Sequence, residues 1–515
     1  MSAQLDKKDL FKSTLILGFI TFLSRILGFA RDMLFAKYFG TTSAMEAFIV
    51  AFRVPNFMRR LFIEGSISQV LVPSLSKQST HQRLNYLFRQ LITLIGGISL
   101  VVAFLGFIFA SIWISIFAPG FYNDPSKFAL SKSLLQVMFP YVFFISLSAL
   151  FSALLNRFER FFLPAFMPIV LNLCMILFIL YTSYFNSPIY AIAWSVLIAG
   201  ILQTLLFIPA ILYLKISLIP LIRKPSYCIK RILKRLLPGI IGASVVQISL
   251  LLDTIFASFL KTGSLSWLYY PDRLNQFPLG ILGIALAIAI LPKLSNRSIT
   301  HVQFKQIVNW GIKLSLVITI PAACGMCVLS YPVLTTLFQY GKFTAFDVIQ
   351  SQRAFISFGI GLITFVLIKV LISALYAKHH TKVALKIGVF CILFNVISNI
   401  ILISILNTHE LGYLALAIST TLTAVINAAL LFYALYRYSH FQLEPAFFAL
   451  IVKVLLASLI MSAVLYLVKG ESSLWLHADF MQRVTRLVWL IILGIACYFM
   501  SIFLLGIRVR DFKNH

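Results

Sequence analysis

Long apolar segments follow one another along almost the whole chain, separated by short polar or basic breaks. Of the 515 residues, 60% are hydrophobic and 11% are charged, whereas a soluble protein carries about 25% charged residues. A helix needs about 20 apolar residues to cross a bilayer, and about fourteen segments meet that length. Because only helices and closed barrels satisfy their backbone hydrogen bonds in lipid, the sequence predicts an all-α polytopic membrane protein with about 14 transmembrane helices.

Basic residues far outnumber acidic ones, 43 to 15, which gives a formal net charge of +28. If the N-terminus is cytoplasmic, the loops on that side hold roughly 25 basic residues and the opposite loops roughly 7. This is the positive-inside distribution of a multi-pass protein, and it predicts that both termini are cytoplasmic. The basic excess therefore needs no nucleic-acid partner to explain it.

Short motifs recur at a constant offset of about 220 residues. Arg53-Val-Pro-Asn56-Phe57 is echoed by Arg273-Leu-Asn-Gln276-Phe277, and Ser152-Ala-Leu154 by Ser373-Ala-Leu375. Repeated halves with a substrate site between them are a known transporter architecture. We therefore expect two pseudo-symmetric six-helix lobes and a C-terminal helix pair, occupying residues 1–220, 221–440 and 441–515.

Arginines lie inside the first, second and eighth apolar segments, where lipid should exclude them. A charge at the bilayer centre costs about 2.5–3.5 kcal/mol even on the lenient insertion scale, so these side chains must face water or counter-ions. A guanidinium stays charged and binds two phosphate oxygens at once. We predict a cationic cavity that binds a phosphate ligand, formed by Arg25, Arg31, Asp32, Glu46, Arg53, Arg59, Arg60, Asp272 and Arg273.

Structural ion pairs between helices would explain part of this pattern, above all Arg31 with Asp32 and Arg60 with Glu64. Asp253 lies in an apolar run and is either a coupling-ion ligand, together with Asn395 and Asn399, or a helix-to-helix hydrogen-bonding residue. The chain has no nucleotide-binding motif, and its CxxC pair, Cys324 and Cys327, lies in an apolar segment without a second pair. We therefore expect neither an enzyme active site nor a bound cofactor.

Three motifs carry a resemblance to a known family. They are Ser24-Arg25-Ile-Leu-Gly28-Phe-Ala-Arg31-Asp32, Ala51-Phe-Arg53-Val-Pro55-Asn56 and Tyr269-Tyr270-Pro-Asp272-Arg273-Leu. They closely resemble the MurJ (MviN) family of the multidrug/oligosaccharidyl-lipid/polysaccharide (MOP) exporter superfamily, and the resemblance extends over nearly the whole chain. Members move lipid II, the undecaprenyl-diphosphate-linked peptidoglycan precursor, between the leaflets of the membrane.

The resemblance implies a flippase of the bacterial cytoplasmic (inner) membrane that carries lipid II to the periplasmic leaflet by alternating access. It implies that the arginines line a central cavity and that the last two helices form a groove for the lipid tail. The implied partners are lipid II, membrane lipids and other cell-wall synthesis proteins. Membrane potential or a cation gradient would reset the cycle.

This sequence departs from the family pattern at three of these positions. Glu46 stands where Asp is usual, and Gln276 stands where Glu is frequent. Asn399 replaces the cation-binding Asp of some members, which argues against a sodium site like theirs.

Three other functions are compatible with a polytopic chain of this kind. A drug/cation antiporter of the same superfamily would favour an acidic pocket, which the arginine excess contradicts. A polyprenyl-phosphate glycosyltransferase would need a catalytic Asp or Glu. A flippase for another polyprenyl-diphosphate oligosaccharide would share the cationic cavity.

Overall fold

The computed structural model describes residues 7–60, 68–77, 80–185, 187–224, 226–283, 300–439 and 441–508, together with residues 286, 290 and 294. Helices account for most of these residues, and none of them lies in a strand. Ten helical stretches of the described residues, two of them made of consecutive helices, are long and apolar enough to cross a membrane. The predicted all-α polytopic fold is therefore confirmed, whereas the count of fourteen spans stays a prediction.

Helix packing divides the chain into two compact units, Met1–Thr262 and Gly263–His515. The helices of the first unit are α1 Lys7–Phe39, α2 Ser43–Arg59, α3 Ser68–Ser76, α4 His81–Leu91, α5 Gly97–Ile108, α6 Ala110–Phe117, α7 Pro125–Met138, α8 Tyr141–Arg157, α9 Phe162–Leu180, α10 Pro188–Tyr213 and α11 Tyr227–Ser258. A π-helical turn, Ile92–Gly96, joins α4 to α5, and a 3-10 turn, Pro119–Asn123, precedes α7.

In the first unit, α9 packs along α1 and α10, while α7 packs against α2. One apolar core lies where α3, α4, α8 and α10 meet, and it includes the fully buried Leu71, Phe88, Leu154 and Phe207. The outward faces of α5 and α9 are apolar as well, with side chains such as Phe104 and Leu177 exposed. Apolar residues on both the packed and the outward faces are expected of helices surrounded by lipid.

The second unit contains α12 Ser264–Pro278, α13 His301–Val328, α14 Ser330–Phe338, α15 Ala345–Ala377, α16 Thr381–Leu406, α17 Gly412–Ser439, α18 Ala446–Val468, α19 Ser472–Leu476 and α20 Phe480–Leu504. Its central helix is α15, which packs against α12, α13 and α17. The last long helices, α18 and α20, pack against each other, and α18 also packs on α13.

The predicted repeat is visible in the order of the helices. Helices beginning at Lys7, His81 and Pro125 have counterparts that begin at Tyr227, His301 and Ala345, each 220 residues later. The span lengths agree as well, because His81–Ile108 and His301–Val328 each have 28 residues, and Pro125–Arg157 and Ala345–Ala377 each have 33. The helix caps recur too. Thr80 and Thr300 cap α4 and α13, and Asp124 and Thr344 cap α7 and α15, each accepting a hydrogen bond from a backbone N–H in the first turn.

Packing and repeat divide the chain at different places. By its repeat position α11 opens the second half, yet its residues belong to the first compact unit. The predicted boundaries at residues 220 and 440 follow the repeat, and they stay predictions.

Candidate functional site

Arg31 and Asp32 form a buried ion pair on α1. The Arg31 Nη2 atom lies 2.7 Å from Asp32 Oδ1, and Nη1 donates a 2.9 Å hydrogen bond to Asn172 Oδ1 on α9. Asn172 Nδ2 in turn donates to the Ser24 carbonyl at 3.0 Å. The guanidinium also lies over the ring of Phe35, 5.5 Å from its centroid. The ion pair expected from the sequence is therefore present, and it belongs to the α1–α9 interface.

Glu46 and Lys127 form a second buried ion pair, between α2 and α7. The Lys127 ammonium also lies over the ring of Phe121, 4.4 Å from its centroid. Lys127 is one of the roughly 7 basic residues that the topology prediction assigns to the loops opposite the cytoplasm. Lys127 instead lies in the first turn of α7 with its side chain 5% exposed.

Two arginines near the end of α2 donate to α11. Arg53 Nη1 donates to Thr254 Oγ1 and, at 3.5 Å, to the Leu250 carbonyl. Arg60 Nη1 donates to Gln247 Oε1 at 3.3 Å. These contacts lie on the face of α11 that carries the half-buried Asp253 next to Thr254.

Arg59 and Arg25 complete the arginine set of the first unit. Arg59 binds Asn56 Oδ1 through Nε at 3.1 Å and through Nη2 at 2.9 Å, within α2. Arg25 is half-buried on α1, two turns before Asp32. Glu64, the predicted partner of Arg60, lies outside the described residues.

In the second unit, Asp272 and Arg273 belong to a polar network at the end of α12. Gln276 connects the two, because its Nε2 donates to Asp272 Oδ2 at 2.6 Å and its Oε1 accepts from Arg273 Nη1 at 3.4 Å. The Arg273 guanidinium lies over the ring of Tyr269, 4.8 Å from its centroid. Gln276 thus lies between the two charges and hydrogen-bonds to both.

Asn395 and Asn399 are buried in the interface between α16 and α17. Asn399 Nδ2 donates to Asn395 Oδ1 at 3.2 Å, and Asn395 Nδ2 donates to Ser419 Oγ at 3.2 Å. The first bond lies within α16, and the second joins α16 to α17. Among the described residues no group of three His, Cys, Asp or Glu could hold a metal ion. The ion-coupling role of Asp253, Asn395 and Asn399 stays a prediction.

An apolar groove of about 1130 Å³ lies between α13, α18 and α20 in the second unit. Its walls include Pro321, Gly325, Leu465, Gly494 and Phe499, and Arg508 lies among its lining residues. Gly325 leaves room for a long apolar ligand beside α13, because a Cβ atom there would meet nothing within 4 Å.

Comparison with known proteins identifies the family. The family model described as "Lipid II flippase MurJ" matches residues 35–486. A probable lipid II flippase MurJ of Buchnera aphidicola subsp. Acyrthosiphon pisum is 36% identical over 510 residues, which cover 98% of this chain and 99% of the relative. The chain belongs to the MurJ family.

Solved structures agree with this assignment. A lipid II flippase MurJ in an inward closed conformation superposes with a TM-score of 0.77 at 26% identity, covering 95% of this chain and 98% of that chain. A MATE family multidrug resistance transporter of the MOP superfamily, inward-facing, has a TM-score of 0.59 at 14% identity, covering 83% of this chain and 98% of that one. The second likeness shows a shared fold only.

Several polar residues around the MurJ-family arginines were missed by the sequence reasoning. Thr254, Gln247 and Asn172 accept hydrogen bonds from arginines more than 100 residues away, so no local spacing reveals them. Lys127 was detectable in part, because Asp124-Pro125 is a helix-start signal that places Lys127 in a first turn rather than a loop.

A buried arginine elsewhere in this MurJ-family chain has a structural role. Arg483 on α20 donates to the carbonyls of Thr335 at 3.2 Å, Gln339 at 3.4 Å and Leu476 at 2.8 Å. Two of these carbonyls end α14, where a cation interacts favourably with the helix dipole. An arginine in an apolar helix is therefore not by itself a substrate residue.

Proposed function

We propose that this chain is a flippase that moves lipid II from the cytoplasmic to the periplasmic leaflet of the bacterial cytoplasmic membrane. Membership of the MurJ family supports this function. The main chemical observation in favour of this proposal is the positive charge of the predicted site. Six arginines accompany three carboxylates, and one of those carboxylates, Glu46, is bound to Lys127.

A positive excess inside apolar helices is costly unless an anion or water balances it. A diphosphate supplies two closely spaced anionic groups, and guanidinium groups bind phosphate oxygens in pairs. In the mechanism we propose, Arg25, Arg53, Arg59 and Arg273 bind the diphosphate. Asp32 orients Arg31 through the contact seen on α1, and Glu46 contributes through its pair with Lys127.

The polyprenyl tail is assigned to the apolar groove between α13, α18 and α20. The groove offers an apolar surface beside helices that have outward-facing apolar side chains, including Leu459 and Phe503. A tail held there would stay in an apolar environment while the charged headgroup crosses. Such a division keeps each part of an amphipathic substrate in a suitable solvent.

We propose that membrane potential or a cation gradient resets the cycle, with no resident cofactor. Moving one elementary charge through 100 mV changes the free energy by about 2.3 kcal/mol. Six arginines and three carboxylates give the predicted site a net positive charge, and a bound diphosphate lowers that charge. A site whose charge differs between its loaded and empty states responds to such a field. The chain acts as a transporter that changes no covalent bond in its substrate.

The decisive experiment places the purified protein in vesicles with fluorescent lipid II and measures leaflet exchange. We expect Arg25→Ala and Arg273→Ala to abolish exchange while the protein still inserts and folds. The matched control is Arg437→Ala, because Arg437 is an exposed arginine at the end of α17. Retained exchange in both cavity variants would refute the diphosphate site. Covalent turnover of lipid II, or drug efflux without exchange, would refute the function.

A further inference from the structure

The described part of the segment between α10 and α11, residues 214–224 and 226, is held along α4 by side-chain hydrogen bonds. The Leu214 carbonyl lies 2.9 Å from His81 Nε2, and the Ser217 N–H donates to Asn85 Oδ1 at 3.0 Å. Arg89 Nε donates to the Ile219 carbonyl at 2.9 Å. We call this segment the linker.

The contacts continue toward the α4–α5 junction. The Leu221 N–H donates to Thr93 Oγ1 at 2.8 Å, and Gln90 Nε2 donates to the Lys224 carbonyl at 3.4 Å. Five hydrogen-bonded contacts thus hold the described part of the linker against α4 and the α4–α5 junction.

The linker already has enough apolar contacts to hold it on the protein. Ile216 is fully buried, and Leu214 and Leu218 pack against the same core. Other apolar side chains point away from the protein. Ile222 is 88% exposed and Ile219 67%, while Tyr213 and Tyr227, at the two ends, are 75% and 82% exposed. Large apolar and aromatic side chains exposed together indicate an interaction surface.

Basic residues are interleaved with these exposed side chains. From Tyr213 to Arg235 the sequence contains seven lysines and arginines and no acidic residue. Lys215, Arg223 and Lys224 are all exposed. Four to eight basic residues next to a membrane span are the usual signature of binding to anionic lipid, and Tyr is enriched at the membrane–water interface.

A small cavity of about 230 Å³ opens between the linker and the α4–α5 junction. Its lining includes Gln90, Thr93, Gly97 and Arg223. Gln90 is 3% exposed, and none of the residues that the structure describes donates a hydrogen bond to its Oε1. The wall contains the π-helical turn Ile92–Gly96, a distortion that occurs frequently at functional sites. The cavity therefore offers a cationic group and a buried acceptor that lacks a donor.

We propose that the linker lies in the headgroup layer of the cytoplasmic leaflet and binds anionic phospholipid, with the phosphate at Arg223 and a headgroup hydroxyl donating to Gln90. The exposed Ile219, Ile222, Tyr213 and Tyr227 insert at the level of the glycerol backbone. The inference rests on the cytoplasmic orientation of the linker in the proposed function. It does not depend on which lipid is transported.

The test uses the full chain in phosphatidylcholine nanodiscs that contain a trace of photoactivatable lipid, either phosphatidylglycerol or phosphatidylcholine. Cross-linked peptides are mapped by mass spectrometry. We expect the phosphatidylglycerol probe to label the peptide spanning 213–227 more strongly than the phosphatidylcholine probe. Labelling that is equal for the two probes, or absent from this peptide, would overturn the proposal.

Two variants separate charge from insertion. Arg223→Gln with Lys224→Gln should reduce phosphatidylglycerol labelling roughly tenfold, since each basic residue near an anionic surface adds several-fold to binding. Ile222→Ser should reduce labelling by both probes. Because the Ile222 side chain is exposed, this substitution should leave the fold intact, so misfolding would not explain the loss of labelling.

The matched control is Lys382→Gln with Lys386→Gln, which removes two exposed charges from another basic segment. We expect linker labelling to be unchanged in this control, and an equal loss there would overturn the assignment to Arg223 and Lys224. Because photolabelling requires no transport, a failed flipping assay and a failed linker assay are distinguishable results.

Discussion

Removing the ammonium of Lys127 alone would leave the Glu46 carboxylate buried without its basic partner. Breaking a buried ion pair in this way costs about 3–5 kcal/mol. We therefore expect Lys127→Met to lower the thermal unfolding midpoint in detergent markedly. Neutralising both partners, with Glu46→Gln and Lys127→Met together, should destabilise less, because no buried charge remains. If the double variant unfolds at the same temperature as Lys127→Met or at a lower one, the unpaired Glu46 carboxylate is not the cause of the instability.

Asp124 provides a prediction about pH, since it caps α7 outside the apolar part of the span. Hydrogen bonds from the Ser126 hydroxyl and the Lys127 backbone N–H lower the pKa of Asp124 below its ordinary value of 3.8. Because the pKa of Asp124 is lower in the folded than in the unfolded state, its ionised carboxylate stabilises the folded protein above about pH 4. This stabilisation is lost as the pH falls through the folded-state pKa. The effect is small, because the carboxylate is solvent-exposed.

Asp124→Asn keeps a good cap and removes the charge. We expect the wild-type unfolding midpoint to exceed that of the variant at pH 7, with the difference shrinking below pH 4. A difference that is constant from pH 7 to pH 3 would contradict this assignment.

At the scale of elements, the 3-10 turn before α7 depends on close backbone contact with the end of α11. A Cβ atom at Gly120 would lie 2.3 Å from the Ser258 carbonyl oxygen and 2.6 Å from the Phe259 nitrogen. The Gly120 N–H also donates to Ser258 Oγ at 3.0 Å. Because these neighbours are backbone atoms, no side-chain rotation relieves the clash.

We expect Gly120→Ala to destabilise the protein by about 1–3 kcal/mol and to increase amide hydrogen exchange in the last turns of α11. Gly325→Ala is the control, since Gly325 lies within α13 and a Cβ there meets nothing within 4 Å. That substitution should be neutral or stabilising by up to about 1 kcal/mol. If Gly120→Ala and Gly325→Ala lose the same amount of stability, the backbone clash at Gly120 is not the cause of the loss.

At the scale of the whole molecule, the distribution of basic residues predicts the topology. In a background without cysteines, Lys382→Cys should react with an impermeant maleimide only after the membrane is opened, and Lys342→Cys should react in intact spheroplasts. Both side chains are exposed, so access to the reagent depends on the side of the membrane. The opposite labelling pattern would reverse the orientation and with it the proposed direction of transport.

Features that depend on neighbouring residues were predictable from the sequence. The apolar runs gave the helical fold, because a polar backbone in lipid has few other solutions. Arg31 with Asp32, and Asn395 with Asn399, are adjacent or one turn apart, so their contacts follow from helix geometry. The offset of about 220 residues is also visible in the sequence, because two copies of a motif are enough to measure the distance between them.

Partners distant in the chain were decided by the tertiary structure. Glu46 meets Lys127 because α2 packs against α7, and Arg53 reaches Thr254 on α11, although these partners lie 81 and 201 residues away in the sequence. The apolar runs are enough to specify a membrane-spanning chain with arginines in its apolar segments. Folding alone decided which polar group each arginine contacts, because hydrogen bonds act over about 3 Å whereas sequence spacing fixes position only along a single helix.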